Sequence, residues 1–124
     1  MEVRERLQAA LEGVTPDTWE FICPQEPPPE AYIVHNPVLE APGDFGDNAP
    51  QGWTHHVQAH LYTKGGRQGL KQAVLGALLR AGFQVSGIEG MRDAGSGYYH
   101  TCFSCTIQEE DEEREGTGNG KDRD

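Results

Sequence analysis

The segment "WTHHVQAHLYT", residues 53–63, alternates between two sets of side chains over its whole length. The first set is Trp53, His55, Val57, Ala59 and Leu61, and the second is Thr54, His56, Gln58, His60 and Tyr62. Strict alternation is typical of a β-strand with one face on the core, because neighbouring side chains on a strand point to opposite sides. This is the longest strand pattern in the chain, and we expect the first set to face the core.

A turn and a helix are predicted directly after this strand. "KGGR", residues 64–67, is a tight strand-to-helix turn. Apolar residues then recur at helical spacing from Leu70 to Ala81, and Gly82 can end the helix. The pattern therefore predicts a helix over residues 68–81.

Two more strands follow the predicted helix. They are "FQVSGI", residues 83–88, and "YYHTCFSCTI", residues 98–107. Both are rich in β-branched and aromatic residues, and the intervening "EGMRDAGSG", residues 89–97, has the glycine content of a turn. The C-terminal part of the chain therefore predicts a hairpin.

One helix and two strands are predicted before residue 53. Apolar residues at helical spacing predict a helix over residues 2–12, and strand-forming residues occupy 18–23 and 31–35. We expect residues 18–23 to have one buried face. Pro37 cannot donate to a ladder, so pairing should weaken there. The predicted order is α-β-β-β-α-β-β, which is an α+β domain over residues 1–108 with two helices on a largely antiparallel sheet.

The segment between the second and third strands, residues 36–51, follows neither period and contains three prolines. A loop of this length in a short chain is usually functional or disordered. Phe45 lies there among acids and glycines, and aromatic residues are enriched among interface anchors. We therefore expect this loop to contact a partner through Phe45.

The charge distribution argues against several classes of partner. The net charge is −10, and eight acidic and three basic residues lie in 109–124, which predicts a disordered acidic tail. Because no stretch clusters Lys or Arg, we expect no nucleic-acid binding. No run of 18 apolar residues occurs, so we expect no membrane contact. Three cysteines favour a reducing compartment over a disulfide framework.

Histidines and cysteines on the predicted strands raise the possibility of zinc. These residues are His55, His56, His60, His100, Cys102 and Cys105. His56 and His60 are four residues apart, about 13 Å at roughly 3.3 Å per residue, which is too far to share one ion. A site formed by His60 with His100 or Cys102 across paired strands stays open, but half-exposed strand residues explain the pattern better.

No complete catalytic set can be assembled from the sequence. In "CFSC", residues 102–105, the two thiols should point to opposite faces of a strand. Cys102 and His60 could form a nucleophilic pair, but no third orienting group is evident. "KGGRQG" lacks the phosphate-loop pattern. We therefore predict no catalytic residue, no metal and no cofactor.

The order and spacing of several motifs resemble the tail-completion, or tail-terminator, proteins of long-tailed bacteriophages and prophages. The similar features are a short N-terminal helix, a proline-rich lead into "AYIVH", the pair Asp47-Asn48, the "YTK" at residues 62–64, a helix, and the pair Tyr99-His100 in a closing strand. The resemblance covers about residues 2–108, and the acidic tail departs from the pattern.

The resemblance implies a structural role in a virion, in the tail or neck, after assembly in the bacterial host cytoplasm. Such proteins form a ring, usually six-fold, that caps the tail tube, ends its growth and offers a surface to the head-tail connector. The implied partners are further copies of the chain, the tail tube protein and the connector protein. The predicted partner-binding residues are Asp44, Phe45, Asp47, Asn48, Tyr32 and Val34.

A stiff proline segment at residues 27–29 would reduce the entropy lost when the following strand is ordered. It would thereby position that strand and its exposed edge for a neighbour. Two alternatives remain: a head-tail connector or neck protein of the same particle, and, in a different class, a small zinc-binding or hydrolytic protein.

Overall fold

The computed structural model describes residues 2–42, 52–65 and 68–110. The helices are α1 (Val3–Glu12) and α2 (Gln68–Arg80). The strands are β1 (Thr18–Glu20), β2 (Ala31–Pro42), β3 (Gly52–Lys64), β4 (Gln84–Asp93) and β5 (Tyr98–Glu110). The order α-β-β-β-α-β-β agrees with the prediction.

The five strands form one sheet in the order β1-β2-β3-β5-β4. β1 runs parallel to β2, and the other three neighbouring pairs are antiparallel. β3 lies at the centre of the sheet, as its long alternating pattern suggests. The predicted α+β class with a largely antiparallel sheet is therefore confirmed.

Both helices pack on the same face of the sheet and share one core. α1 contributes Val3, Leu7 and Leu11, α2 contributes Val74 and Leu78, and the sheet contributes Ile33, Val57, Ala59, Leu61, Phe103, Cys105 and Ile107. The predicted core face of β3 is thus confirmed at its three central positions. Trp53, at the start of the strand, is instead 46% exposed.

Strand β2 is longer than the sequence predicts. The predicted strand ended at residue 35, but β2 continues to Pro42. The pairing is irregular between Pro37 and Leu39, where the register shifts. The effect of proline is therefore a local bulge rather than the end of the strand, because β3 still offers paired positions from His56 to Trp53.

Three other strand limits differ from the prediction. β1 stops at Glu20, because Phe21 has a left-handed backbone conformation (φ 74°) that cannot continue a strand. β4 continues to Asp93 through residues predicted as a turn, since β5 pairs with it over that length. β5 continues to Glu110, so Glu109, assigned to the acidic tail, is paired with Trp53.

No helix within the described ranges is long and apolar enough to cross a membrane. Gly66 and Arg67 of the predicted turn, residues 43–51 of the predicted loop and residues 111–124 of the predicted tail lie outside the residues that the structure describes. Lys64 does end β3, and Gly65 follows it with a φ of 77°.

Candidate functional site

Neither helix covers the face of the sheet opposite the shared core, and we call it the open sheet face. Strand alternation and register place on it Tyr32, Val34 and Asn36 of β2, His56, His60 and Tyr62 of β3, Tyr98, His100 and Cys102 of β5, and Glu89 and Met91 of β4. These side chains are mainly polar and aromatic, which suits a surface that meets a partner or water rather than a second layer of the same core.

An aromatic row crosses one end of the open sheet face. Tyr32 and Tyr62 stack with ring centroids 4.8 Å apart, and Tyr62 stacks in turn on His100 at 4.5 Å. Tyr98 meets Tyr32 edge-to-face at 5.7 Å. Burial is the main reason that the pKa of Tyr32 rises to about 12.

The proline segment packs against this row. The hydroxyl of Tyr98 donates to the carbonyl oxygen of Pro29 at 2.7 Å and lies 3.3 Å from that of Pro28. The backbone N–H of Lys64 donates to the carbonyl oxygen of Glu30, which ties the end of the segment to β3. The prolines therefore lead into β2 along a path fixed by Tyr98.

A cavity of about 540 Å³ lies beside the aromatic row. Its walls include the rings of Tyr32, Tyr62 and His100 and the side chains of Met91 and Arg92. Apolar and aromatic walls with a few polar groups are typical of binding pockets and of protein interfaces.

Two histidines form a hydrogen-bonded pair next to the row. Nδ1 of His60 lies 2.7 Å from Nε2 of His100, and Nε2 of His60 lies 3.1 Å from Oδ1 of Asn36. The amide oxygen can only accept, so Nε2–H of His60 donates to Asn36, and the free Nδ1 accepts from Nε2–H of His100. Burial lowers the pKa of both imidazoles, and His100 lowers that of His60 further.

Cys102 and Cys105 lie on β5, where burial disfavours the thiolate form of both. Burial raises the pKa of the Cys102 thiol, although Cys102 pairs with His60 in the strand register. Cys105 faces the core with Val57, and burial raises its pKa to about 12. The two thiols therefore lie on opposite faces, as predicted. Activation of a cysteine requires a lowered pKa.

No group of three or more His, Cys, Asp or Glu side chains within residues 2–42, 52–65 and 68–110 is arranged to hold a metal ion. His60 and His100 lie within hydrogen-bonding distance of each other, with 2.7 Å between Nδ1 and Nε2. His55 points to the helix-covered side of the sheet.

A second cavity, of about 460 Å³, lies between the N-terminal end of α1 and the sheet, and we call it the α1 groove. Its apolar walls include Val3, Leu7, Phe21 and Trp53. Its charged groups are Glu2, Glu20, Glu40, Glu109 and Arg4. The groove thus combines apolar walls with an excess of acidic groups.

His55 links two of these carboxylates. Its Nε2 lies 2.9 Å from Oε1 of Glu109, and its Nδ1 lies 3.5 Å from Oε2 of Glu40. Glu40 and Glu109 come from the strands on either side of β3. Sequence reasoning missed this link because Glu109 was assigned to the tail and Glu40 to a loop.

Buried His35 supports the floor of the α1 groove. Its Nε2 lies 2.6 Å from Oε1 of Gln8 on α1, and Gln8 donates to the carbonyl oxygen of Thr18 at 2.9 Å. Burial lowers the pKa of His35. Gln8 therefore joins α1, β1 and β2 through polar contacts beneath the groove.

The structure describes two of the six predicted partner-binding residues. Tyr32 belongs to the aromatic row, and Val34, also on the open sheet face, is buried beside Trp19 of β1. The expected exposed edge at this part of β2 is wrong, because β1 pairs with Ile33, Val34 and His35. The other predicted residues, Asp44, Phe45, Asp47 and Asn48, lie outside the described residues.

Sequence reasoning did not identify the aromatic row. Tyr32, Tyr62 and Tyr98 each lie within two residues of the end of a strand, and their contacts depend on the strand register. One sequence signal could have revealed the row. The three tyrosines all lie near strand ends, and a hairpin or a short loop brings such ends together.

Comparison with known proteins shows a structural likeness over most of the chain. No protein-family model matches the chain, and no curated protein matches it. The fold is similar to a chain in a solved structure described as the virion of a native gene transfer agent (GTA) particle, with a TM-score of 0.57 and 15% sequence identity. The match covers 88% of this chain and 98% of the other, so the two share their fold over nearly the whole of that chain.

Proposed function

We propose that this chain is a structural protein of a phage-like virion, and that it caps the tail tube as a ring. The observation that carries the proposal is the similarity of nearly the whole fold to a chain of a GTA virion particle. The resemblance to tail-terminator proteins rests on the order and spacing of sequence motifs, and it supports the more specific role of capping the tail tube. In this role the ring ends tail growth and offers its outer surface to the head-tail connector.

The distribution of surfaces supports ring formation. A closed ring with one contact type needs two different complementary surfaces on each subunit. The sheet has two unlike edges: β1, next to α1, forms one edge, and the ten-residue strand β4 forms the other. The open sheet face supplies a third surface, with its aromatic row, for the tube or the connector.

The chemistry of the open sheet face supports a role in binding rather than catalysis. The pKa of its thiol, Cys102, is raised, and its two neighbouring imidazoles are bonded to each other. Stacked tyrosines provide large contact area with little side-chain entropy to lose, as in many protein interfaces. We propose no cofactor and no metal for this function.

The predicted loop remains part of the proposal. Asp44, Phe45, Asp47 and Asn48 would contact the tube or the connector, with Phe45 as the apolar anchor. Replacement of residues 43–49 by a short Gly/Ser linker should leave the fold intact, because changes in loop length add little to the free energy of closure. It should abolish tube capping. Unchanged capping by this variant would remove the loop from the proposal.

The direct test uses purified protein and the tail tube protein of the particle whose genome encodes it. We expect negative-stain microscopy to show a ring, six-fold if the resemblance holds, at one end of each tube, and tubes that stop growing when the protein is added. Binding to the head connector alone would favour the neck-protein alternative. Stoichiometric zinc in the purified protein would favour the zinc-binding alternative.

A further inference from the structure

The α1 groove has the properties of a socket for an apolar side chain with an adjacent positive charge. Trp53 and Phe21 at its walls are 46% and 63% exposed, which is unusual for residues of this size in a folded chain. Four glutamates and one arginine line the same cavity. The groove therefore favours a partner that combines apolar and basic groups.

The outer surface of α2 has the complementary character. Leu79 is 54% exposed, and its neighbour Arg80 is also exposed. The helix sequence contains the bases Lys71 and Arg80 and no acidic residue. Across residues 2–42, 52–65 and 68–110, neither base takes part in an ion pair.

The two surfaces belong to different helices, which lie side by side on one face of the sheet and contact each other. α1 contacts β1 and β2, whereas α2 contacts β4, and these strands are at the two sides of the sheet. A head-to-tail contact between copies must join two such different surfaces. Side-by-side copies in a ring would bring α2 of one subunit toward α1 of the next.

The two surfaces also lie near the same end of the strands. Trp53, in the groove, pairs with Glu109 near the end of β5. α2 ends at Arg80 and leads through Phe83 into Gln84, which pairs with Thr106. Along the strand direction, Leu79 and Arg80 therefore lie within a few residues of the groove.

We propose that the α1 groove binds the C-terminal end of α2 from a second copy of this chain. Leu79 inserts into the groove beside Trp53, and Arg80 of the neighbour approaches Glu40. This contact rests on the proposed ring, and it specifies the subunit interface that closes the ring. The groove's remaining carboxylates add to the attraction for the basic helix end.

Charge exchange across the contact tests the proposal. Glu40→Lys and Arg80→Glu each place like charges together, so either variant should need a protein concentration about tenfold higher, or more, to form rings. The chain with both substitutions should form rings at nearly the wild-type concentration, because it restores opposite charges. Light scattering after size exclusion, with and without tail tube protein, measures the assembly.

The controls separate this contact from folding and from the proposed function. Glu26→Lys makes the same charge change in the proline segment and should assemble like the wild type. Circular dichroism should show that all variants are folded. Leu79→Ser, at an exposed position, should also weaken ring formation without unfolding the chain.

Each outcome has a defined meaning. If wild type forms rings and both single variants form them equally well, the α1–α2 contact is wrong and the ring function stands. If both single variants fail and the double variant also fails, charge pairing at this site is wrong. If wild type forms no ring, alone or with the tube protein, the contact and the proposed function both fail.

Discussion

His60 and His100 are joined by a hydrogen bond of 2.7 Å between neighbouring strands of the open sheet face. Because His60 donates from Nε2 to Asn36, its Nδ1 must be free of a proton to accept from His100. Protonation of His60 would place an N–H on Nδ1 facing the N–H of His100. The pair in this arrangement consists of two neutral imidazoles, and a protonated His60 keeps the hydrogen bond only if the proton of His100 moves from Nε2 to Nδ1.

Stability should consequently fall at acidic pH. An unfolded histidine has a pKa of about 6.5. The folded values of His60 and His100 are lower, chiefly through burial, so the unfolded chain binds more protons over this range. The contribution of His60 and His100 to the free energy of unfolding is complete above about pH 6.5, the pKa in the unfolded chain. It is lost as the pH falls toward the lower pKa values of the folded chain. His35 acts in the same direction.

The test is the urea midpoint measured from pH 7.5 to pH 5. We expect His60→Gln to reduce the decrease seen in the wild type. His56→Gln is the matched control, since His56 lies on the same strand and face and forms no hydrogen bond through its side chain within the described part of the chain. An identical pH dependence for His60→Gln and the wild type would contradict the assignment.

Two adjacent leucines of α2 should differ strongly in their effect on stability. Leu78 is fully buried in the shared core, whereas Leu79 is 54% exposed. Leu78→Ala should lower the free energy of unfolding by about 2 to 5 kcal/mol by leaving a cavity. Leu79→Ala should change it by less than about 0.5 kcal/mol. Similar denaturation midpoints for the two variants would show that the helix faces are misassigned.

The Tyr98 hydroxyl should hold the proline segment in place. Tyr98→Phe removes the donor to Pro29 and leaves a partly buried carbonyl without this partner, at a cost of about 1 kcal/mol. Tyr99→Phe changes the neighbouring exposed ring and should be neutral. Hydrogen exchange should speed up at residues 30–32 in the first variant only. Equal exchange in both variants would mean that the segment is held by other contacts.

The acidic C-terminus should divide into a structural and a dispensable part. Removal of residues 111–124, which contain no apolar side chain, should leave the melting temperature unchanged. Removal of Glu109 and Glu110 as well deletes the carboxylate that contacts His55 and the last two strand pairs with β3. This should lower the free energy of unfolding by about 1 kcal/mol. Equal melting temperatures for chains ending at residues 108 and 110 would contradict this division.

The periodic parts of the fold could be predicted from the sequence, and the parts determined by pairing could not. β3 and α2 have clear alternation and helical spacing, and the structure confirms both. The extension of β2 to Pro42 has no such pattern, and it forms because β3 pairs with it beyond the bulge. β4 continues past Gly90 for the same reason, along β5.

The candidate site was only partly accessible from the sequence. A contact between His60 and His100 could be considered once two paired strands were assumed. The stacking of Tyr32 on Tyr62 needed the register of β2 and β3, in which the two residues lie directly opposite. The parallel β1, which covers part of β2, could not be anticipated from a three-residue strand.

The most direct measurement of the proposed function is tail length and head attachment after deletion of the gene from the phage or prophage that the proposal takes to encode the chain. We predict overlong tails, or tails that never join heads, in negative-stain micrographs, and normal particles when the wild-type chain is supplied from a plasmid. Tails of normal length joined to heads in the deletion strain would contradict the account.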